Sequence, residues 1–295
     1  MWVIYAFLTA FLLATSDALT KRLLFSVKDE YLVAWLRLLF SLPLLMISLL
    51  FVGIPPLDGT FWTAVLIALP LEITTVILYT KALKVSPMSL TMPFLAFTPL
   101  FLILISYVIL GEKVSLSGAI GIILITGGSY VLNIHKARYA LIEPVKAMLK
   151  EKGSVMMIIV AAVFSVTSTL GKLAIEHSSP VFFGSFYIVL VTALFTPIAI
   201  GKNRDRFEKT HTGIIITKKD IILLILMGAS YSLMIIFHMV AISLTKVAYM
   251  ISVKRMSLIF SIIYGYILFK EEKIVVRFFG GVMMLAGVVL IVLSG

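Results

Sequence analysis

Long apolar stretches alternate with short polar connectors along the whole chain. Each stretch has about the 20 residues that an α-helix needs to cross the hydrocarbon core of a bilayer. Lipid offers the backbone no hydrogen-bond partner, so each stretch must satisfy its own backbone as a helix. The pattern predicts ten transmembrane helices, at 2–24, 32–52, 61–83, 88–110, 115–133, 154–176, 180–200, 220–243, 246–269 and 274–294.

Two connectors are longer than the others, at 134–153 and 201–219. The first divides the chain nearly in half, and the second is a strongly basic loop. Both are typical of solvated charged connectors. They predict a first five-helix unit at 1–133, a linker at 134–153 and a second five-helix unit at 154–295.

The two units repeat each other in sequence. Residues 160 positions apart match: Glu112, Lys113, Gly121 and Gly127 with Glu272, Lys273, Gly281 and Gly287. We expect the acidic residue to suit a helix N-terminus and the glycines to let helices pack closely. Because each unit has an odd number of helices, the second must be inserted upside down. The chain is therefore predicted to be an all-α membrane protein of ten transmembrane helices in two inverted repeats, an architecture typical of alternating-access transporters.

The composition excludes water-soluble classes of protein. Apolar residues make up 61% of the chain and charged residues 13%, against about 45–50% and about 25% in soluble domains. The net charge of +11 does not indicate nucleic-acid binding, because the basic residues are scattered among apolar segments. The chain has no cysteine and four widely separated histidines. We therefore expect no metal site, no cofactor, no catalytic residues and no enzymatic activity.

With these features the chain resembles the EamA-type transporters of the drug/metabolite transporter superfamily. The resemblance rests on ten helices, two five-helix units and the pattern GEK-x7-G-x5-G at 111–127, which the second unit varies as Lys270-Glu271-Glu272-Lys273. It implies a central cavity lined by helices 1, 3, 4, 6, 8 and 9, with helices 5 and 10 as scaffold. It also implies a small-molecule substrate, whose identity it leaves open.

The basic residues predict an orientation in the membrane. Lysine and arginine accumulate in cytoplasmic loops. Of the 25 basic residues, the side that carries both termini holds five. We therefore expect a multi-pass protein of a prokaryotic cytoplasmic membrane with both termini outside.

One carboxylate is predicted to lie at the middle of a transmembrane helix. Glu72 is about 11 residues from either end of the third helix, with Thr75 and Tyr79 on the same face. Charges at such depth are costly and commonly functional. Glu72 could carry a coupling proton, bind a substrate ammonium group, or pair with a basic residue of another helix. Its repeat counterpart is Tyr231, so the carboxylate is not a symmetric scaffold feature.

Two adjacent cations are predicted inside the ninth helix. Lys254 and Arg255 lie roughly 12–14 Å from the start of this helix, measured along its axis. With Tyr249 and Ser252 they could line an anion-binding pocket, or they could pair with Glu72.

Further candidates lie nearer the helix ends. Asp17 could reach the cavity or pair with Lys21 at i+4. Lys172 could face the cavity or extend to the membrane surface. His238, on one face with Tyr231, could relay protons. Arg37 is interpreted as an interface or gate anchor.

Prolines mark two helices as bent. Pro93 and Pro99 fall inside the fourth helix and Pro70 inside the third. The fourth helix could act as a gate, with Phe94 and Phe97 as an apolar plug, or its aromatic residues could simply pack.

We expect a secondary active transporter that exports or exchanges a small polar metabolite bearing a carboxylate, such as an amino acid. Proton coupling through Glu72 is its most concrete form. Its partners are then substrate, protons and membrane lipids, with no nucleic acid, and the oligomeric state stays open. The alternatives are an anion exchanger for phosphorylated or sugar-linked metabolites, an intramembrane lipid transferase, and a non-transporting scaffold or sensor.

Overall fold

A computed structural model describes residues 1–86, 92–131, 151–203, 218–269 and 277–294. Over these ranges the chain is helical and contains no strand. The α-helices are α1 (Trp2–Val27), α2 (Glu30–Phe51), α3 (Gly59–Val85), α4 (Thr98–Leu110), α5 (Leu116–Val131), α6 (Lys152–Glu176), α7 (Pro180–Lys202), α8 (Lys218–Ser243), α9 (Val247–Lys254), α10 (Ser257–Phe269) and α11 (Arg277–Ser294), and a 3-10 helix at Met92–Phe97 precedes α4. Most of the predicted linker and of the second long connector lies outside the described residues.

The helices identify a multi-pass integral membrane protein. Within the described ranges, seven helical segments are long and apolar enough to cross a bilayer, and α9 and α10 together form one of them. Three shorter apolar segments, Phe94–Leu110, Leu116–Val131 and Phe279–Ser294, correspond to the predicted helices 4, 5 and 10.

The ninth predicted helix is interrupted, whereas the sequence predicted a continuous span, and the described part of the fourth begins as a 3-10 helix that leads directly into α4. Pro99 does not bend the middle of a helix. It occupies the first turn of α4, where its missing N–H costs no helical hydrogen bond. Between α9 and α10 the N–H groups of Arg255 and Met256 donate to carbonyls three residues earlier, at 3.0 and 2.9 Å. This tight 3-10 turn needs neither glycine nor proline, and no residue in the sequence indicates it. Pro70, by contrast, lies within the single helix α3.

Polar contacts at both ends fix the relative direction of α3 and α6. The Asp58 carboxylate caps α3 through the Phe61 N–H at 2.9 Å and lies 2.6 Å from Nδ1 of His177, just after α6. The Phe61 N–H also holds the pKa of this exposed carboxyl below its usual range. At the opposite ends, the Ser86 hydroxyl donates to Glu151, which caps α6. The two helices therefore run antiparallel.

Helix contacts join the two halves of the chain. The extensively paired helices are α1 with α8, α3 with α6, α2 with both α7 and α8, and α5 with α11. In the α5–α11 pair a β-carbon on Gly121 would lie 2.7 Å from the carbonyl oxygen of Gly287, and one on Gly128 2.6 Å from that of Gly280. The expected close packing at glycine is thus confirmed for Gly121 and Gly287.

The predicted glycines at 127 and 281 lie outside these contacts. A β-carbon on Gly127 would meet nothing closer than 3.6 Å, and one on Gly281 nothing closer than 3.7 Å. The neighbouring positions 128 and 280 make the second contact instead. Successive helical residues are about 100° apart, so only one of two adjacent glycines can face the partner helix.

Candidate functional site

A cavity of about 130 Å³ lies between the two halves of the bundle. It has roughly ten times the volume that one water molecule requires. Residues of α1, α2, α3, α6, α7, α8 and α9 line it, together with Leu95 of the 3-10 helix and Arg255 at the α9–α10 turn. The resemblance implied helices 1, 3, 4, 6, 8 and 9. The structure places residues of all six on the wall and adds α2 and α7.

Glu72 faces this cavity from the middle of α3. The Thr167 hydroxyl of α6 donates to its carboxylate, and Thr75 is bonded to its backbone carbonyl at 2.8 Å. Among the described residues, no cation lies within 4.0 Å of the Glu72 carboxylate. A direct salt bridge, one of the interpretations open from sequence, is therefore not formed within the described ranges.

Lys254 and Arg255 line the cavity on the second half. Arg255 is buried, and its Nη2 donates to Thr98 Oγ1 at 2.9 Å, which connects the turn between α9 and α10 to the start of α4. Lys254 is close enough to Glu72 for their charges to interact, although the two form no salt bridge. The wall therefore presents separated opposite charges.

The two predicted companions of this basic pair lie elsewhere. The Tyr249 hydroxyl accepts the N–H of Ser115 at 3.1 Å, at the start of α5. The Ser252 hydroxyl donates to the Ala248 carbonyl oxygen at 2.6 Å, within α9 itself. Neither side chain lines the cavity, because successive residues of a helix point in different directions and only Ile251 and Lys254 of α9 face inward.

A buried network joins the first three helices. Arg37 Nη1 donates to Asp17 Oδ1 at 3.0 Å, and the Tyr79 hydroxyl donates to Asp17 Oδ2 at 2.5 Å. The Arg37 guanidinium also stacks over the ring of Tyr231, 4.2 Å from its centroid. The salt bridge of Asp17 is thus with Arg37 rather than with Lys21, which is itself buried. The interpretation of Arg37 as an interface anchor missed its place on the cavity wall.

Lys172 belongs to a different cluster, at one end of the bundle. It forms an ion pair with Glu112 and donates to the Thr245 carbonyl oxygen at 2.8 Å. The other Glu112 oxygen accepts the N–H of Val247 at 2.9 Å and so caps α9. The glutamate of the GEK pattern therefore does serve a helix N-terminus, but one in the other half of the chain. Lys172 is not on the cavity wall, in contrast to its prediction as a site residue.

Several buried polar atoms of the cavity wall have no hydrogen-bond partner among the described residues. They are Nε of Arg37, the hydroxyl of Tyr187, Nδ1 of His238 and Nε of Arg255. Buried polar groups without partners are uncommon in folded proteins. They mark this wall as a place where a solute or water completes the hydrogen bonding. Sequence reasoning missed Tyr187, because a single tyrosine in an apolar helix is equally typical of packing.

The predicted gate residues lie beside the cavity and do not line it. The rings of Phe94 and Phe97 stack on each other with centroids 6.2 Å apart, and both residues precede α4. Leu95, between them, contacts the cavity. Pro99 is buried in the first turn of α4, and the side chain of Pro93 lies outside what is described. Nor do the described residues hold a group of three or more potential metal ligands.

An all-helical membrane bundle around a central cavity with separated charges defines a class of protein, the small-molecule membrane transporters. The pattern of the EamA-like transporter family matches residues 1–134 and 151–293, and the chain belongs to this family, which is part of the drug/metabolite transporter superfamily. Of the solved structures, 29 chains are similar. One, titled "Crystal structure of protein", is 14% identical with a TM-score of 0.73, over 98% of this chain and 99% of that one. It supports the fold alone. A search of curated proteins finds no match.

Proposed function

We propose that this protein is a secondary active transporter that moves an amino acid or a related carboxylate-bearing metabolite by alternating access. The observation that carries the proposal is the pair of unjoined opposite charges on one cavity wall. Glu72 suits a substrate ammonium group, and Lys254 with Arg255 suits a carboxylate. A zwitterion would bridge them and supply the partners that the described residues do not.

Alternating access is supported by an inverted repeat, which we infer from helix directions and helix pairs. Since α1, α2 and α3 alternate in direction and α6 runs antiparallel to α3, α6 also runs opposite to α1. When each helix is replaced by its counterpart in the other half, the α1–α8 pair becomes the α3–α6 pair. The α2–α7 and α5–α11 pairs stay the same under this replacement. Two units of this kind can present one site to either side of the membrane in turn.

An exchanger for anionic metabolites, such as phosphorylated sugars, is the second candidate. Three cationic side chains line the cavity against one carboxylate, although Asp17 lies behind Arg37 and neutralises it. The excess of positive charge favours a substrate that carries more negative charge than a zwitterion does.

The basic loops support a placement in a prokaryotic cytoplasmic membrane with both termini outside. A C-terminal alkaline phosphatase fusion is expected to be active and a C-terminal green fluorescent protein fusion dark. The reverse result would contradict this orientation.

The test is transport by the purified protein in liposomes. An inward or outward proton gradient is imposed, and uptake of an amino-acid panel and of phosphate esters is measured. If Glu72 is the coupling group, Glu72→Gln abolishes gradient-driven accumulation and leaves counterflow exchange in place. Glu30→Gln is the matched control, because Glu30 pairs with Lys84 at the edge of the bundle, away from the cavity.

The outcomes separate the candidates. Full gradient-driven uptake by Glu72→Gln excludes Glu72 as the coupling group. Counterflow of phosphate esters without any amino acid favours the anion exchanger. No flux of either class would contradict both.

A further inference from the structure

Tyr187 of α7 and His238 of α8 place two unused polar atoms on the cavity wall. The residues are 5% and 7% exposed, and within the described ranges neither the Tyr187 hydroxyl nor His238 Nδ1 has a hydrogen-bond partner. Both residues line the cavity, as does Ser168 of α6. The second half of the chain thus contributes uncharged polar side chains to the wall, and two of them, Tyr187 and His238, carry a polar atom that the described residues leave unsatisfied.

The same positions in the first half hold the Asp17–Arg37–Tyr79 network. Asp17 and Ser168 are 151 positions apart, and Tyr79 and His238 are 159 apart, which are the offsets at which helices 1 and 6 and helices 3 and 8 repeat. Helices α2 and α7 begin 150 positions apart, and this offset relates Arg37 to Tyr187. In the first half the three side chains bind each other. In the second half the charges are replaced, and a hydroxyl and an imidazole nitrogen are left open to the cavity.

We propose that Tyr187 and His238 form a polar subsite that binds an uncharged oxygen-bearing group of the substrate, a hydroxyl or a carboxamide. The subsite rests on the proposed function, since it lies in the same cavity. Tyr187 is close to Glu72, and His238 is close to Lys254 and Arg255. Those three residues provide the charged contacts for the ends of a zwitterion. On the same wall, the Tyr187 phenol and the His238 imidazole provide hydrogen bonds without requiring a further buried charge.

Removal of the Tyr187 hydroxyl has a distinctive expected signature. The part of the chain that the structure describes offers this hydroxyl no partner, and Tyr187→Phe is therefore expected to leave the melting temperature unchanged or raised. With substrate bound, Tyr187→Phe removes one hydrogen bond between the protein and the substrate. A merely structural role would give the opposite pattern, with lower stability and unaltered selectivity.

The experiment measures competition in counterflow between matched solutes that differ by one hydroxyl. The pairs are L-threonine against L-valine, in which a hydroxyl replaces a methyl, and 2-hydroxypropyl phosphate against propyl phosphate. We expect wild-type protein to prefer the oxygen-bearing member by about tenfold, the value of one to two net hydrogen bonds. Tyr187→Phe and His238→Phe should reduce this preference toward unity with the affinity for the apolar member unchanged. The matched control is Tyr264→Phe, whose hydroxyl is bonded to Thr15 outside the cavity and whose loss should leave the preference intact.

Each outcome decides the matter. If Tyr187→Phe and wild type show the same preference on both pairs, the Tyr187 hydroxyl does not bind the substrate's oxygen-bearing group and the subsite is overturned. If no amino acid binds to wild type, the proposed amino-acid function fails, and the phosphate pair tests the subsite by the same comparison. Absence of any preference in wild type for both pairs also overturns the subsite.

Discussion

Replacement of Asp17 by alanine should leave Arg37 as an uncompensated charge within the bundle. Asp17 accepts two hydrogen bonds, from Arg37 at 3.0 Å and from Tyr79 at 2.5 Å. Bonds to a charged group contribute about 1.5–3 kcal/mol each, which gives about 3–6 kcal/mol in all. This agrees with about 3–5 kcal/mol for breaking a buried ion pair by removing one partner. The ring of Tyr231 stays in contact with the guanidinium and limits the loss.

The assay is thermal unfolding of the purified protein in detergent, followed by intrinsic fluorescence. A loss of roughly 4 kcal/mol in a chain of this size corresponds to a melting temperature about 8–16 °C lower. Asp17→Asn should cost less, because its amide oxygen still accepts a hydrogen bond. Glu30→Ala is the control. Its pair with Lys84 is partly exposed, and exposed pairs contribute about 0–1 kcal/mol.

A double variant tests the reasoning itself. Asp17→Ala combined with Arg37→Leu removes both charges, and it should be more stable than Asp17→Ala alone. A loss below about 1 kcal/mol for Asp17→Ala would refute the buried ion pair as a source of stability. So would a double variant less stable than the single one.

Other parts of the bundle give three further predictions. Gly121→Ala should destabilise the protein by about 1–3 kcal/mol because its β-carbon would meet backbone, whereas Gly127→Ala, whose β-carbon would make only an ordinary contact at 3.6 Å, should not; thermal unfolding compares the two. Glu112→Ala should cost more than Glu112→Gln, since glutamine can still accept the N–H at the start of α9, and equal losses would contradict the cap. The lowered pKa of Asp58 makes its cap fully effective above the ordinary pKa of the carboxyl and lost as pH falls through the lowered pKa. Asp58→Asn should therefore flatten the acid limb of the melting temperature against pH, and an unchanged limb would count against it.

The helices were predictable because a bilayer imposes a length and an apolar composition that can be read one segment at a time. The turn after Lys254 was not, since it is made by backbone hydrogen bonds that ordinary residues form. The predicted span 246–269 is therefore continuous in sequence but interrupted in the structure.

Cavity residues were predictable where one helix carries the information. Spacing of seven places Glu72 with Tyr79, and Tyr231 with His238, on common faces, and both pairs line the cavity. Partners from other helices were not predictable. Asp17 pairs with Arg37, and Lys172 pairs with Glu112, because tertiary packing brings different helices together. The spacing of residues along one helix does not predict such pairs.

The glycine contacts between α5 and α11 have a consequence for how such a protein changes over time. Over their described residues, neither helix contributes to the cavity wall, and the two meet through main-chain atoms at Gly121 and Gly287. The pairs α1–α8, α3–α6 and α2–α7 also join the halves and line the cavity, whereas the α5–α11 contact is separate from it. Substitutions on the cavity wall can therefore alter selectivity without disturbing the α5–α11 contact. This contact accepts almost no change at its glycines, so new specificities are expected to arise while it stays fixed.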